Sequence, residues 1–203
     1  MKHELIIGTK NQTKISQIKS VLEYLNIDIF GLPINTNVNI IENGNTAQEN
    51  ARKKAKKYSE YLNKTVLSTD NALYFNNLEK KYQPGVHVKR VDKVVDSSNN
   101  ELLEYYQDLI TKLGNNIEGC WEFAICIASP NREIKEHTIK LNRIFTNSRG
   151  NNIIVGYPLE SLQIDPKSKK HISDMNKSEL HALWKDDIGL SLQKFVKDYF
   201  NIL

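Results

Sequence analysis

The side chains of this sequence best placed to do chemistry are Lys14, Glu42, Glu49 with Lys54, and Asp70. Each falls where a strand is expected to end or a helix to begin, the positions from which a fold presents functional groups to a ligand. The stretch GTKNQTK, residues 8–14, crowds hydrogen-bond donors between the apolar run Leu5 to Ile7 and a segment whose Ile15, Ile18, Leu22 and Leu25 recur at helical spacing. The first N–H groups of a helix lack intrahelical partners, so a strand-to-helix turn of this composition is a seat for an anion, with phosphate the first candidate. Carboxylates close to a bound phosphate repel it unless a divalent cation lies between them, and magnesium meets that need.

Each residue also has a plain structural reading. Lys14 lies in the first helical turns and can be a solvated lysine. Glu42 can be a loop acid ahead of the Asn43-Gly44 turn, and Glu49 is the partner of Thr46 in a T-x-x-E capping box. Asp70 is the hardest to set aside, because it comes directly after the apolar strand VLST, where an unpaired charge is expensive.

The elements that must position these residues alternate early in the chain. A strand and a helix are succeeded by a second strand, DIFGLPI, then by an Asn-rich loop. The helix capped by Thr46 has Ala51, Ala55, Tyr58 and Leu62 as its apolar stripe, with the lysines of RKKAKK opposite. TVLSTD reads as a short strand, ALYFNNL as another strand or half-turn, and QPGV as a turn. Leu102, Leu103, Tyr106, Leu109, Ile110 and Leu113 mark a further helix ending at Gly114. CWEFAICIASP and HTIKLNRIFTN are long strands expected to pair. A final helix starts near Lys177, with Leu180, Trp184, Ile188, Phe195 and Tyr199 on one face. The mixture predicts an α/β protein with a mixed sheet.

Composition sets limits. Hydrophobic residues make up 39% and charged residues 26%, close to the globular average, which argues against a disordered or fibrous chain. The net charge of +4 suits acidic ligands but is modest for a nucleic-acid-binding module, and there is no zinc-ligand set. Cys120 and Cys126 on one strand would lie roughly 20 Å apart, beyond disulfide reach, and read as buried small hydrophobes. The five histidines, His3, His87, His137, His171 and His181, are scattered without a G-x-S-x-G elbow or an H-E-x-x-H pair. With no leader pattern and no apolar run of about 18 residues, the expectation is a protein of a reducing, cytoplasmic compartment without a membrane partner.

The order of the motifs is more specific than any one of them. GTKNQTKISQIKSVL resembles the T-G-N-x-x-K phosphate loop of the Ham1/inosine triphosphatase family, with Lys10 where that family has glycine. ENGNTAQENARKKAKKYSEYLNKTVLSTDNAL is similar to its E-x-G-x-T-x-x-E-N-A-x-x-K-A block and the D-D-S-G-L strand end beyond it. QPGVHVKR resembles its P-G-V-x-S-x-R turn, and WEFAICIASP its central strand. The match runs over roughly residues 5 to 130. It implies one domain over residues 1–203, with an α/β fold in which a mixed twisted sheet and flanking helices form two lobes around a central cleft. It also implies an enzyme that hydrolyses non-standard nucleoside triphosphates to monophosphate and pyrophosphate with Mg2+, as a homodimer; from the modest charge, no stable nucleic-acid partner is expected.

Matching residue by residue, the resemblance assigns Thr9, Asn11 and Lys14 to the triphosphate, with Lys54 adding charge to it; Lys10, in the same turn, is a further candidate for substrate binding although it departs from the motif. It makes Glu42 a metal ligand and Asp70 both metal ligand and general base. Thr69 stands where the first acid of the family's pair would be, and Asn71 where a substrate-contacting serine would be. In the C-terminal third, IVGYPLESL keeps Gly156 and Tyr157 of the family's G-F-G-Y-D-P-x-F. An ungapped reading sets Trp184, Lys185 and Asp186 on its purine-surrounding S-H-R. Trp184 can stack on a heterocycle and Lys185 can contact its edge. Two alternatives stay open: a pyrophosphatase of altered base specificity, and a nucleotide-binding relative that has lost catalysis.

Overall fold

The structure is a computed structural model that describes residues 2–90, 97–131 and 133–202. The early alternation folds as β1 (His3–Ile7), α1 (Gln12–Leu22), β2 (Ile27–Gly31), α2 (Ala47–Leu62) and β3 (Val66–Phe75). Then come α3 (Asn99–Lys112), the long strands β4 (Asn116–Ala128) and β5 (Ile134–Thr146), the short β6 (Gln163–Ile164), and the helices α4 (Lys177–Trp184) and α5 (Leu190–Phe200). One six-stranded sheet has the order β2-β1-β3-β4-β5-β6. It is mixed as expected, since β1 pairs in parallel with β2 and β3 while β5 and β6 are antiparallel. CWEFAICIASP and HTIKLNRIFTN, in β4 and β5, are neighbours in it.

The chain divides into two compact units, residues 1–71, 123–139 and 181–203 in the first, and 72–122 and 140–180 in the second. In the first unit Ile6, Tyr58 and Val66 pack together with Val38, Ile40 and Leu62 around them. In the second, Leu73, Phe75, Leu102, Tyr106, Ile110 and Phe145 share a core. Gly119 belongs to that core by necessity, because a Cβ there would lie 2.9 Å from the Phe145 ring and 3.0 Å from Phe75.

Three local expectations change. Asp70 does not end its strand: β3 runs on through ALYF to Phe75 as one ten-residue element. A charge can join the strand because each of its carboxylate oxygens has a partner, Lys54 on one and Asn50 on the other. Cys120 is only half-buried, while Cys126 is buried; both are free thiols. Burial pushes the Cys126 thiol up to about 12. The C-terminal helix is interrupted by a π-helical turn at Lys185–Gly189. A π turn takes in an extra residue and rotates the buried face of the helix beyond it. In α5, after that turn, Leu192, Val196 and Tyr199 are buried, while Phe195, on the face read from the sequence, is only half-buried.

Candidate active site

The opening turn is built at the carboxyl end of β1. In the order β2-β1-β3 the chain passes β1 to reach its third strand, so β1 and β3 flank a topological switch point, where open α/β sheets place their ligands. Gly8 fastens the turn to β3: its N–H donates to Leu67 O at 2.7 Å, and its own carbonyl accepts from Ser68 Oγ at 3.1 Å. A Cβ at Gly8 would run into Ser68 Oγ and would lie 2.7 Å from Val66, so only glycine lets the two strands meet here. Ser68 is two residues before Asp70, about 7 Å along the strand and on the same face.

Asn11 is the N-cap of α1. Its Oδ1 accepts from the backbone N–H groups of Thr13 at 3.0 Å and Lys14 at 3.2 Å. Thr9 Oγ1 accepts from Asn11 N–H at 3.2 Å. The side chains assigned by resemblance to the triphosphate therefore also shape the turn, and Lys10 beside them is exposed.

The ionisable cluster stands on α2 and β3. Lys54 Nζ donates to Glu42 Oε2 at 2.8 Å and to Asp70 Oδ1 at 2.8 Å, so one ammonium bridges two carboxylates. The Lys54 and Asp70 side chains are only 12% and 14% exposed. Burial pulls the Lys54 ammonium down, but the charges and hydrogen bonds of Asp70 and Glu42 outweigh it and hold its pKa above the ordinary lysine value. Lys54 therefore leaves the solvated face on which the RKKAKK run would place it.

Asn50 carries no role in the sequence reading, yet it is central here. It is buried; its Nδ2 donates to Asp70 Oδ2 at 3.2 Å, and its Oδ1 accepts from Gly44 N–H at 2.8 Å. One amide thus ties the loop carrying Glu42 to the Asp70 carboxylate. The signal was present as the Asn of E-N-A, one residue after the capping-box Glu and four before Lys54, a spacing that puts Asn50 and Lys54 on one helix face. The capping box itself differs in detail: Thr46 Oγ1 accepts from Glu49 N–H at 3.1 Å, but Glu49 Oε2 reaches back to Asn45 N–H at 2.7 Å. Lys53 Nζ donates to Asn43 Oδ1 at 2.6 Å. The first turns of α2 hold the whole Glu42 loop.

Thr69 is buried at 2% exposure with no hydrogen-bond partner for Oγ1, and the Oδ1 of Asn71 is likewise buried without one. Both neighbour Asp70 in sequence and therefore point to the other face of β3. Trp184, at the end of α4, is half-buried, and Lys185 Nζ lies 5.5 Å from the centre of the Tyr24 ring. Tyr24 comes just after α1, whose 1.5 Å rise per residue puts it about 20 Å from the Asn11 end. Gly156 and Tyr157 lie in the second unit, in a turn closed by Tyr157 N–H to Ile154 O at 2.9 Å, with Gly156 at φ +86°. Burial, aided by Glu160, raises the Tyr157 phenol far above its ordinary value.

These features define a mixed α/β protein with a helix-capping turn and a lysine-bridged pair of acids beside the carboxyl end of its first strand. Comparison with known proteins supplies the family. The Ham1 family model matches residues 5–185, and the chain belongs to the Ham1 family. The match continues beyond residue 130 and takes in Gly156, Tyr157 and Trp184. A dITP/XTP pyrophosphatase of Rhodopirellula baltica is 27% identical over 186 residues, covering 89% of this chain and 86% of that protein. The fold is shared with the Ham1 protein of Staphylococcus aureus, at TM-score 0.71 and 23% identity, over 97% of this chain and 99% of that one. It is also shared with a HAM1 protein from Coxiella burnetii, at TM-score 0.78 and 15% identity, with the same coverage of both chains.

Proposed function

We propose that the protein is a nucleoside triphosphate pyrophosphatase that cleaves non-standard nucleoside triphosphates to the monophosphate and pyrophosphate. The observation that carries this reading is the Glu42–Lys54–Asp70 bridge, braced by Asn50, standing two strand residues from the point where the α1 turn is fastened to β3. The relatives named dITP/XTP pyrophosphatase support the substrate class.

In the reaction, water attacks the α-phosphorus, the bond to the bridging oxygen breaks, and pyrophosphate departs with that oxygen. Asp70 takes the proton of the attacking water on a lone pair left by Lys54 and Asn50. Lys54, Lys14 and Lys10 offset the charge that develops on the phosphates, with Thr9 and Asn11 shaping the turn that receives them. For the nucleoside end Asn71, next to Asp70 on β3, is kept from the resemblance, whereas Lys185 lies beside Tyr24, at the end of α1 away from the turn.

The donor set fits magnesium. Among the described residues no group of three or more His, Cys, Asp or Glu side chains gathers as a metal site. Two hard carboxylates already share a cation, the Lys54 ammonium, and such a pair suits an ion that takes its remaining ligands from water and substrate phosphates. Glu42 and Asp70 would hold it. When bound, it supplies charge neutralisation and orients the leaving pyrophosphate. The same reading extends, through the family resemblance alone, to a homodimer and a cytoplasmic location. Among the described residues no helix is long and apolar enough to cross a membrane.

Pyrophosphate release measured across a panel of standard and base-modified triphosphates, with and without Mg2+, tests the proposal. Release from at least one purine-modified triphosphate that depends on Mg2+ is expected, and its absence across the panel overturns the enzymatic reading. Thr69 favours a second reading, a nucleotide-binding relative without turnover, because a buried neutral side chain stands where the family has an acid. Tight triphosphate binding without release would establish it.

A further inference from the structure

We infer that Lys54 is a built-in competitor of the metal: the divalent ion enters by displacing the Lys54 ammonium from Glu42 and Asp70, which frees that ammonium for the substrate's phosphates. The inference rests on the reading of Glu42 and Asp70 as metal ligands and adds an order of events to it.

The Lys54 contacts fall on Glu42 Oε2 and Asp70 Oδ1, both at 2.8 Å, so the ammonium occupies the shared ground between the two acids. Asp70 is held from turning, because Asn50 holds its other oxygen at 3.2 Å and is itself pinned to Gly44 N–H at 2.8 Å, so an ion that bridges Asp70 Oδ1 and Glu42 Oε2 meets the ammonium there. A doubly charged ion and an ammonium sharing those oxygens would repel one another, most strongly at Asp70, whose side chain is largely buried while that of Glu42 is 40% exposed. Without the lysine, two acids would face each other unneutralised, so the ammonium keeps the site stable until a better cation arrives. Once displaced, Lys54 stays tethered to α2 by a flexible stem, and the nearest large anion becomes the triphosphate that accompanies the metal. Metal and nucleotide should therefore bind cooperatively, each removing a cost from the other.

Calorimetric titration of the full chain with Mn2+, in the absence of nucleotide, tests this with wild type, Lys54→Met and Lys54→Arg. Lys54→Met is expected to bind Mn2+ at least about tenfold more tightly than wild type, while Lys54→Arg, which keeps the competing charge, is not. Equal or weaker binding by Lys54→Met overturns the inference. So does failure of both wild type and Lys54→Met to bind; in that case the metal-ligand reading falls as well only if pyrophosphate release also proves insensitive to EDTA. A measurement on the wild type guards against misfolding of Lys54→Met: acetylation of Lys54 by acetic anhydride, read by mass spectrometry. Mn2+ is expected to speed that acetylation by freeing the amine from its two carboxylates, and an unchanged or slower rate overturns the inference.

Discussion

Asp70 is a mid-strand carboxylate with Lys54 on one oxygen and Asn50 on the other. Asp70→Asn keeps the volume and removes the base, so turnover should fall at least about a hundredfold. It should also lower the melting temperature, because the buried Lys54 ammonium then keeps only Glu42 as a charge partner. A steady-state assay of pyrophosphate release is the check, and undiminished turnover would remove Asp70 from the reaction. Asn50→Ala strips the orienting contact and leaves the buried Gly44 N–H without its acceptor. It should cost about 1–3 kcal/mol in urea unfolding and lower kcat at least about tenfold. KM should move little, which separates a positioning role from a binding one. The sign of the Lys54 effect with pH is set by its raised pKa. The stability it lends is fully present below the ordinary lysine value of 10.5 and is lost only as pH rises through the higher folded value. Urea midpoints should therefore show no loss from this group between pH 7 and about pH 10.

At the level of elements, two joints decide placement. Gly8 lets the α1 turn lie against β3, and Gly8→Ala forces a methyl into Ser68 and Val66. Overpacking of this kind costs about 1–3 kcal/mol, read as a lowered melting temperature, and it should also weaken triphosphate binding. The second joint is Asp174, in the second unit. Its carboxylate accepts from Asn151 N–H at 3.0 Å and Asn152 N–H at 2.9 Å, and from both asparagine side chains. Those bonds, led by the Asn151 N–H, lower its pKa below the ordinary 3.8. A depressed carboxylate stabilises above its unfolded value and loses that contribution as pH falls through the folded one. The melting-temperature gap between wild type and Asp174→Asn should therefore be present at pH 7 and shrink below pH 3.8. The π turn at Lys185–Gly189 shows the limit of periodicity as a guide. A regular helical count carried from Trp184 to Tyr199 takes in Phe195 and passes over Val196, whereas in α5 Val196 is buried and Phe195 only half-buried, because nothing in the residue types announces the extra residue in that turn.

Over the whole molecule, a net charge of +4 is a weak field that favours anionic ligands. Raising ionic strength should lower kcat/KM for a triphosphate while leaving kcat nearly unchanged, since screening acts on encounter. The sequence determined most of the elements and their order, because apolar spacing, caps and turn glycines are local signals that each segment carries by itself. It also determined the candidate ionisable residues: Glu42, Lys54 and Asp70 stand out by type and position, and the structure brings these three into contact. Only tertiary structure decided that β3 continues through Asp70, that Lys54 leaves the solvated face of α2 to bridge two acids, and that Asn50 joins them. The physical reason is that a buried charge is tolerated only where distant segments supply its partners, here across 12 and 16 residues of chain, and no local pattern records that meeting.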